Sequence, residues 1–526
     1  MSTTATVAEV TDGDTIDVRF DDGTTETVRI IGIDTPETTD NADAERRAEW
    51  EGIEELNYLG RWGEAASRFA KDELAGATVD LLTDENEPNR GSYGRLLRYV
   101  RYDADDTGER ETVYNREAVA EGFARVYDSG FTHHDEYSKL EATARREHRH
   151  VWTKSNVAAA PEVRDRSVEK LFVPTPASIE TDGGPVSSDR VPVFAAETAT
   201  QRPGDGTAYE KRIPLVAVDE SASVVLVGGP LIDETYEQAE GFPADTSRYG
   251  NFPFLTNVIA SLTKRSGAVL MDGGHGQFDA EYALSAEDTA YYGRYLEGQD
   301  LRLRQVNELA GDGALNGRAL LVTPPAEPFT AAEREAVASF AESGGAVVLV
   351  GHSDEGMPDE ARSRLNALAA ELGTDLRLNN DRVTDEPANL NGDPSLPTTT
   401  ELNASFDLFD AHTPDSASEP SLSVIEVHPR PEDGSGSPTA ESIVVENTTD
   451  RPLDLTGWRV TDEAEHEYRF PDGFTLPPGA AATLRTGTGT DEVVLNWGRS
   501  RSVWNDDGDT VSVFDDTDSL VTERSY

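Results

Sequence analysis

Two breaks in pattern constrain this chain more than any other feature. Residues 158–190 mix Pro161, Pro174, Pro176, Gly183, Gly184 and Pro185 with serine and charge, and residues 411–420 do so more briefly. Such stretches read as linkers between separately folded segments, although Val168–Val173 is apolar enough to dock as a short element. The expected division is a first domain over 1–157, a linker over 158–190, a middle domain over 191–410, a linker over 411–420 and a last domain over 421–526. A length of 526 residues suits a multi-domain chain of this kind, and no repeat supports a solenoid or propeller.

Each segment has its own periodicity. The first shows strand patterns at 6–10, 15–19, 24–33, 78–82 and 96–102, a helical stretch over 42–74 and two later helices at 115–122 and 136–147, which together predict a small β-barrel with helices. In the middle segment apolar runs at 223–227, 267–271, 301–305, 319–323 and 346–351 alternate with helical patterns, predicting an α/β doubly wound parallel sheet. The turns 228–230, 272–276 and 351–354 fall where such folds place ligands, so His275 and His352 are candidates for a sugar, peptide or metal. Thr330-Ala331-Ala332-Glu333 forms a capping box. The last segment, with short alternating strands and polar breaks, predicts a β-sandwich.

Charge narrows the function classes. Asp and Glu number 100 against 46 Lys plus Arg, a formal charge of -54, and only 6 of the bases are Lys. A generally basic nucleic-acid coat is excluded. An acid-rich, Lys-poor surface of this type resembles that of proteins from salt-accumulating halophiles, so molar salt is expected to be needed for folding. With no Cys, disulfides, thiolate nucleophiles and Cys-ligated zinc are excluded. The first residues carry no leader-like pattern and no apolar run approaches a membrane span, so the expectation is a soluble chain, cytoplasmic as read, or secreted or surface-bound if a leader lies upstream.

Three clusters in the first segment carry the chemistry: Asp12-Gly13-Asp14-Thr15, the run from Arg29 to Asp34-Thr35-Pro36-Glu37, and Tyr93-Gly94-Arg95. Singly, each reads as a turn, a surface charge or a hairpin tip. In this order they resemble the staphylococcal nuclease, or thermonuclease-like, family, whose pattern is a DGDT turn, an R-x-x-x-x-D-T-P-E run and a later YGR. The likeness continues through NREAVAEGFARV at 115–126 and ends at Val151-Trp152. It implies a five-stranded OB-fold β-barrel with three helices.

The residues are consistent with that chemistry. Asp14 and Asp34 would bring two carboxylates together for a hard dication, preferably Ca2+, with the Thr35 carbonyl as a further oxygen. Glu37 would position or deprotonate the attacking water, and Arg29 and Arg95 would hold phosphoryl oxygens with planar forks. Asp12 fits a place behind the metal, and Tyr93 could bond a terminal phosphate, with Ser92 standing where the family often has a basic residue. The resemblance implies cleavage of both DNA and RNA to 3′-phosphate ends. Residues 1–157 hold 19 bases and 35 acids, net -16, so substrate must be held locally, through the metal, the arginines and stacking on Tyr93 or Tyr127. The charged stretch between Glu37 and Gly60 is expected to form a solvated helical lid.

The middle segment resembles class I glutamine-amidotransferase-like domains in its D-x-G-H-G run, Asp272 to Gly276, and its Gly-rich strand ends. Lacking a cysteine nucleophile, it would be non-catalytic. From Ser421, the landmarks Ile443-Val444-Val445-Glu446-Asn447, Leu455-Thr456-Gly457-Trp458, Pro477-Pro478-Gly479 and Val503-Trp504-Asn505-Asp506-Asp507-Gly508-Asp509, the last four a hairpin turn, resemble the lamin-tail domain, an immunoglobulin-like β-sandwich. Residues 419–526 hold 8 bases and 22 acids, net -14, so a protein, glycan or envelope ligand suits this domain better than DNA. The expectation is a Ca2+-dependent phosphodiesterase with two non-catalytic domains. The alternative is a nuclease-like barrel kept as a binding module, in a protein whose ligand is held by the middle or lamin-tail domain.

Overall fold

A computed structural model describes the chain apart from residues 1, 106, 157–163, 165, 205, 312–313, 354–355, 413–421, 430–440, 448–452, 463, 465, 472, 478–479, 488–493, 506–507 and 516–519. Most of the expected second linker, Pro478-Gly479, Asp354 and the first half of the Asp506–Asp509 turn lie outside the described residues. The chain forms two compact units, Met1–His412 and Thr413–Tyr526.

The barrel is built from β1 (Ser2–Val10), β2 (Thr15–Arg19), β3 (Thr25–Ile30), β5 (Thr78–Leu82) and β6 (Leu96–Tyr102), with β4 (Ile33–Asp34) leaving it. Antiparallel pairing runs β3-β2-β1-β5-β6, and a parallel ladder between β3 and β6, pairing Val28 with Leu96 and Arg29 with Leu97, closes the ring. Alternate side chains, including Val7, Ile16, Val18, Val28, Ile30, Val79, Leu81 and Val100, fill the inside. The expected strand over 24–33 splits after Ile30. Gly32 there has φ +70, and the Phe131 ring occupies the space a Cβ would need. β4 instead pairs with β7 (Arg125–Val126), setting Asp34 opposite Arg125.

Helices α1 (Leu56–Leu74), α2 (Tyr114–Ala120) and α3 (His134–Arg146) cover the barrel. The helix expected from residue 42 begins only at Leu56. Residues 42–55 are acidic without an apolar repeat, contain Gly52 at φ +65, and form two single 3-10 turns around Trp50. Trp50 is fully buried, 5.5 Å from Trp152. The stretch is therefore not a solvated helical lid: Arg46 pairs with Glu234 and Glu240, Glu54 with Arg294, and the Gly52 amide bonds Glu297.

The middle domain is a seven-stranded sheet in the order 193–194, 214–219, 224–227, 346–350, 319–322, 269–272, 303–306. The last five strands are parallel, with two antiparallel strands on one edge. Successive residues of a strand point to opposite faces. Val225, Leu321 and Val348 pack with helices Asn251–Leu262 and Ala290–Glu297, whereas Val224, Leu320 and Val347 pack with helices Ala331–Glu342 and Asp359–Glu371. The expected capping box at Thr330 and Glu333 is present. The first linker needs correction in its second half. Leu171–Phe172 pairs with Thr398–Thr399, Ile179–Thr181 pairs with Leu376–Leu378, and Leu171, Val173, Ala177 and Ile179 are fully buried. Proline and glycine mark turns here between short apolar runs that the sheet needs as cover.

The first two domains pack together through the carboxyl ends of the parallel strands. Gln305 and Asn307 donate to the Ser129 carbonyl, and the Asn307 and Glu308 amides donate to Asp135 at the start of α3. The second unit is a β-sandwich of its own. One sheet comprises Leu422–His428, Ser442–Asn447, Ala481–Arg485 and Val494–Asn496, and the other Glu467–Arg469, Arg459–Thr461, Thr510–Phe514 and Leu520–Ser525. Val424, Ile443, Val445 and Leu484 face Val460, Val511 and Val513 in a core that also buries Trp458 and Trp504. Among the described residues no helix is long and apolar enough to cross a membrane.

Candidate active site

The Asp12-Gly13-Asp14-Thr15 turn and the β3–β4 segment meet at the mouth of the barrel. Gly13 is required there, because a Cβ would come within 2.7–2.9 Å of Thr35 and Ala66, and the buried Tyr114 hydroxyl bonds its carbonyl at 2.7 Å. Asp12 accepts the Asp14 amide at 3.2 Å and so shapes the turn. Asp14 Oδ2 accepts both the amide and the hydroxyl of Thr35, at 2.9 and 3.0 Å, and Oδ1 accepts the Thr15 hydroxyl at 3.1 Å. These bonds fix the Asp14 carboxylate rigidly beside Thr35.

Arg29, from the end of β3, spans the two expected metal ligands. One of its terminal nitrogens lies 2.6 Å from Asp14 Oδ1 and the other 2.9 Å from Asp34 Oδ1. The two carboxylates are thus close enough to share one centre. Burial pushes the Asp14 carboxyl up, opposed by the charge of Arg29, and the Asp12 carboxylate adds to the rise. Arg29 is pulled down by burial but held up more strongly by Asp14 and Asp34.

Asp34 has a second partner that its own segment does not foretell. Arg125 Nε reaches Asp34 Oδ2 at 3.1 Å, while its terminal nitrogens fork onto Glu287 of the middle domain at 2.7 and 3.1 Å. Glu49, 3.2 Å from the same guanidinium, is pushed up to about 8, chiefly by burial and further by Glu287 and Asp34. The ring of Tyr127 lies under both arginines, 6.0 Å from Arg29 and 5.9 Å from Arg125, and meets Phe278 edge to face at 5.4 Å. The signal for Arg125 was its place two residues before Tyr127. Glu287 had none.

Glu37 follows directly on this cluster, half-buried. Its amide donates to Glu45, which Trp50 also holds at 2.7 Å, and its carboxylate accepts from Asn41. Helix α1 lies against the same backbone: at Gly63 a Cβ would come within 2.4 Å of the Pro36 carbonyl. Arg95 and Tyr93 stand apart on the turn before β6. Tyr93 is 85% exposed, its ring lies 5.5 Å from the Arg95 guanidinium, and among the described residues Arg95 forms no ion pair. The β3–β6 ladder nonetheless begins at Val28 and Leu96, which sets Arg95 beside the strand that carries Arg29.

The donors converging on Arg29 are all oxygen, as a hard cation requires. Among the described residues no group of three or more His, Cys, Asp or Glu gathers into a closed cage. Two carboxylates with a neighbouring carbonyl fit a cation that keeps positions open for water and a phosphate, so the residues present fit Ca2+.

In the middle domain, the two candidate histidines are engaged internally. His275 is buried, with Nδ1 2.8 Å from Asp272 Oδ1 and Nε2 3.4 Å from Glu333, and its ring is 4.1 Å from Phe329. His352 Nδ1 lies 2.8 Å from the Thr175 hydroxyl, and burial pushes its pKa down to about 4.

Comparison with known proteins bears on both ends of the chain. The family model described as staphylococcal nuclease homologue matches residues 27–154, and that of the lamin tail domain matches 415–526. An uncharacterised protein of Methanocaldococcus jannaschii is 33% identical over 152 residues, 28% of this chain and 72% of that protein. The SPbeta prophage-derived endonuclease YokF of Bacillus subtilis is 31% identical over 28% of this chain and 44% of its own length. The thermonuclease of Staphylococcus intermedius is 33% identical over 141 residues, 27% of this chain and 68% of its own length. Through its N-terminal domain the chain belongs to the staphylococcal nuclease homologue family, and it ends in a lamin tail domain.

Proposed function

We propose that the N-terminal domain is a Ca2+-dependent nuclease that hydrolyses phosphodiester bonds of DNA and RNA with little base preference, leaving 3′-phosphate ends. The observation that carries this reading is the convergence of Asp14 and Asp34 on one guanidinium, with Thr35 fixed beside them and Glu37 next along the backbone. Asp14, Asp34 and the Thr35 carbonyl would hold the cation. When bound, it supplies positive charge against the phosphoryl oxygens. Glu37 accepts a proton from the attacking water, whose oxygen adds to phosphorus as the bond to the 5′-oxygen breaks and that oxygen takes a proton from solvent. Arg29 and Arg95 donate to phosphoryl oxygens as charge builds on them, a task for planar forks. Tyr93, exposed at the turn, is placed to meet a terminal phosphate or stack on a base, and Asp12 keeps Asp14 in place. The lamin-tail domain, net -14, is assigned a protein, glycan or envelope ligand.

One observation favours a second reading. Arg29 already neutralises both carboxylates, as would suit a barrel kept for binding. Single-stranded DNA offered to the full chain in molar KCl, with Ca2+ or with excess chelator, decides between them. The nuclease reading expects Ca2+-dependent cleavage that falls by roughly 10²–10⁴ in Glu37→Gln and is lost in Arg95→Ala. A folded protein that binds the strand and leaves it intact makes the barrel a binding module.

A further inference from the structure

The middle domain reaches into the site through one side chain. Arg125 is buried and presents every nitrogen of its guanidinium to an acid: Nε to Asp34, one terminal nitrogen to Glu287 Oε1 and also to the Val126 carbonyl, the other to Glu287 Oε2 and Glu49. The forked, geometrically favoured face of the guanidinium thus goes to Glu287, and Asp34 receives a single N–H on Oδ2. Glu287 is held in turn by the Asp128 amide at 3.1 Å, next to the Ser129 carbonyl that Gln305 and Asn307 grip.

We propose that Glu287, acting through Arg125, is a positioning residue for Asp34, so that the middle domain sets the cation affinity of the nuclease site. This rests on the Ca2+ reading given above. The argument is electrostatic and geometric. Around Asp14 and Asp34 stand two guanidinium groups, Arg29 and Arg125, faced also by Glu49 and Glu287. Remove the Glu287 charge and the second guanidinium is left with less acid to answer it. Its fork is then free to turn onto Asp34, covering an oxygen that a cation needs and cancelling charge that attracts it. A carboxylate two bonds removed from the site therefore tunes it, as partners behind metal ligands commonly do.

The test is direct binding of Ca2+ to the full chain in molar KCl by titration calorimetry, comparing the natural sequence with Asp34→Asn, Glu287→Gln and Arg125→Lys. The expected result is one Ca2+ site that Asp34→Asn abolishes. Glu287→Gln should keep that site with affinity roughly 10- to 100-fold weaker. Arg125→Lys keeps the charge but cannot hold Asp34 and Glu287 together, so it should weaken binding as well, and it carries the test if Glu287→Gln does not fold. Wild-type affinity in folded Glu287→Gln, or in Arg125→Lys where that variant carries the test, overturns the positioning role and leaves the Ca2+ reading intact. Binding that Asp34→Asn does not alter overturns both.

Discussion

Asp34 accepts from Arg29 on one oxygen and from Arg125 on the other, and neither arginine is its neighbour in sequence. The same economy appears nine residues beyond Arg125. His134, wholly buried at the start of α3, lies 2.7 Å from Asp128 and 2.8 Å from Asp135, and Asp135 also takes two amides of the middle domain. Burial alone would lower the His134 pKa, but the two carboxylates outweigh it and raise it from 6.5 to about 9. A histidine held protonated in the fold stabilises fully below its unfolded value and loses that contribution as pH rises through its folded value. Thermal midpoints should therefore fall between pH 6.5 and 9 more steeply for the natural protein than for His134→Asn. Parallel curves over that window would show that the ring is neutral.

At the scale of elements, the site depends on how α1 seats against the segment that carries Glu37. Gly63 allows that seat, since any β-carbon would collide with the backbone carbonyls of Pro36 and Glu37, at 2.4 and 2.5 Å. Gly63→Ala should cost about 1–3 kcal/mol of stability, as overpacking does, and lower cleavage by displacing Glu37. Urea unfolding together with cleavage rates measures both, and a variant with unchanged activity would show that Glu37 does not depend on the helix. Most elements were legible because their signals are local. The Asp12–Thr15 turn, the strands at 15–19, 78–82 and 96–102, and the helices near 115 and 136 follow from side-chain period and turn residues within each stretch. The stretch 42–55 was not legible as what it is, because its charged residues serve partners far along the chain, as Arg46 with Glu234 and Glu54 with Arg294 show. Residues 168–181 misled for the converse reason: Pro174 and Pro176 stand between short paired strands, a use that local composition does not distinguish from a linker.

For the whole molecule, the two compact units divide the chain unevenly, with barrel and α/β domain in one and the sandwich in the other. The sandwich has its own core around Trp458 and Trp504, so a chain ending at His412 should keep its cleavage activity and lose one calorimetric transition. Both transitions should rise in temperature with KCl, because a net charge of -54 repels itself less when screened. A sandwich transition that survives the truncation, or activity lost with it, would contradict this division. The site was legible in proportion to its locality. Asp14, Arg29, Asp34 and Glu37 lie within 24 positions, and the fold joins the first three through ion pairs; Glu287 lies 162 positions beyond Arg125, and only the docking of two domains reveals it.

That separation of 162 positions has a meaning in time. At about 5–20 residues per second, a ribosome adds Glu287 roughly 8–30 s after Arg125. Until then Arg125 has, of its three acid partners, only Asp34 and Glu49 to bind. On the positioning role proposed for Glu287, a newborn chain holds Asp34 under Arg125 without that counterweight until the next domain has been made.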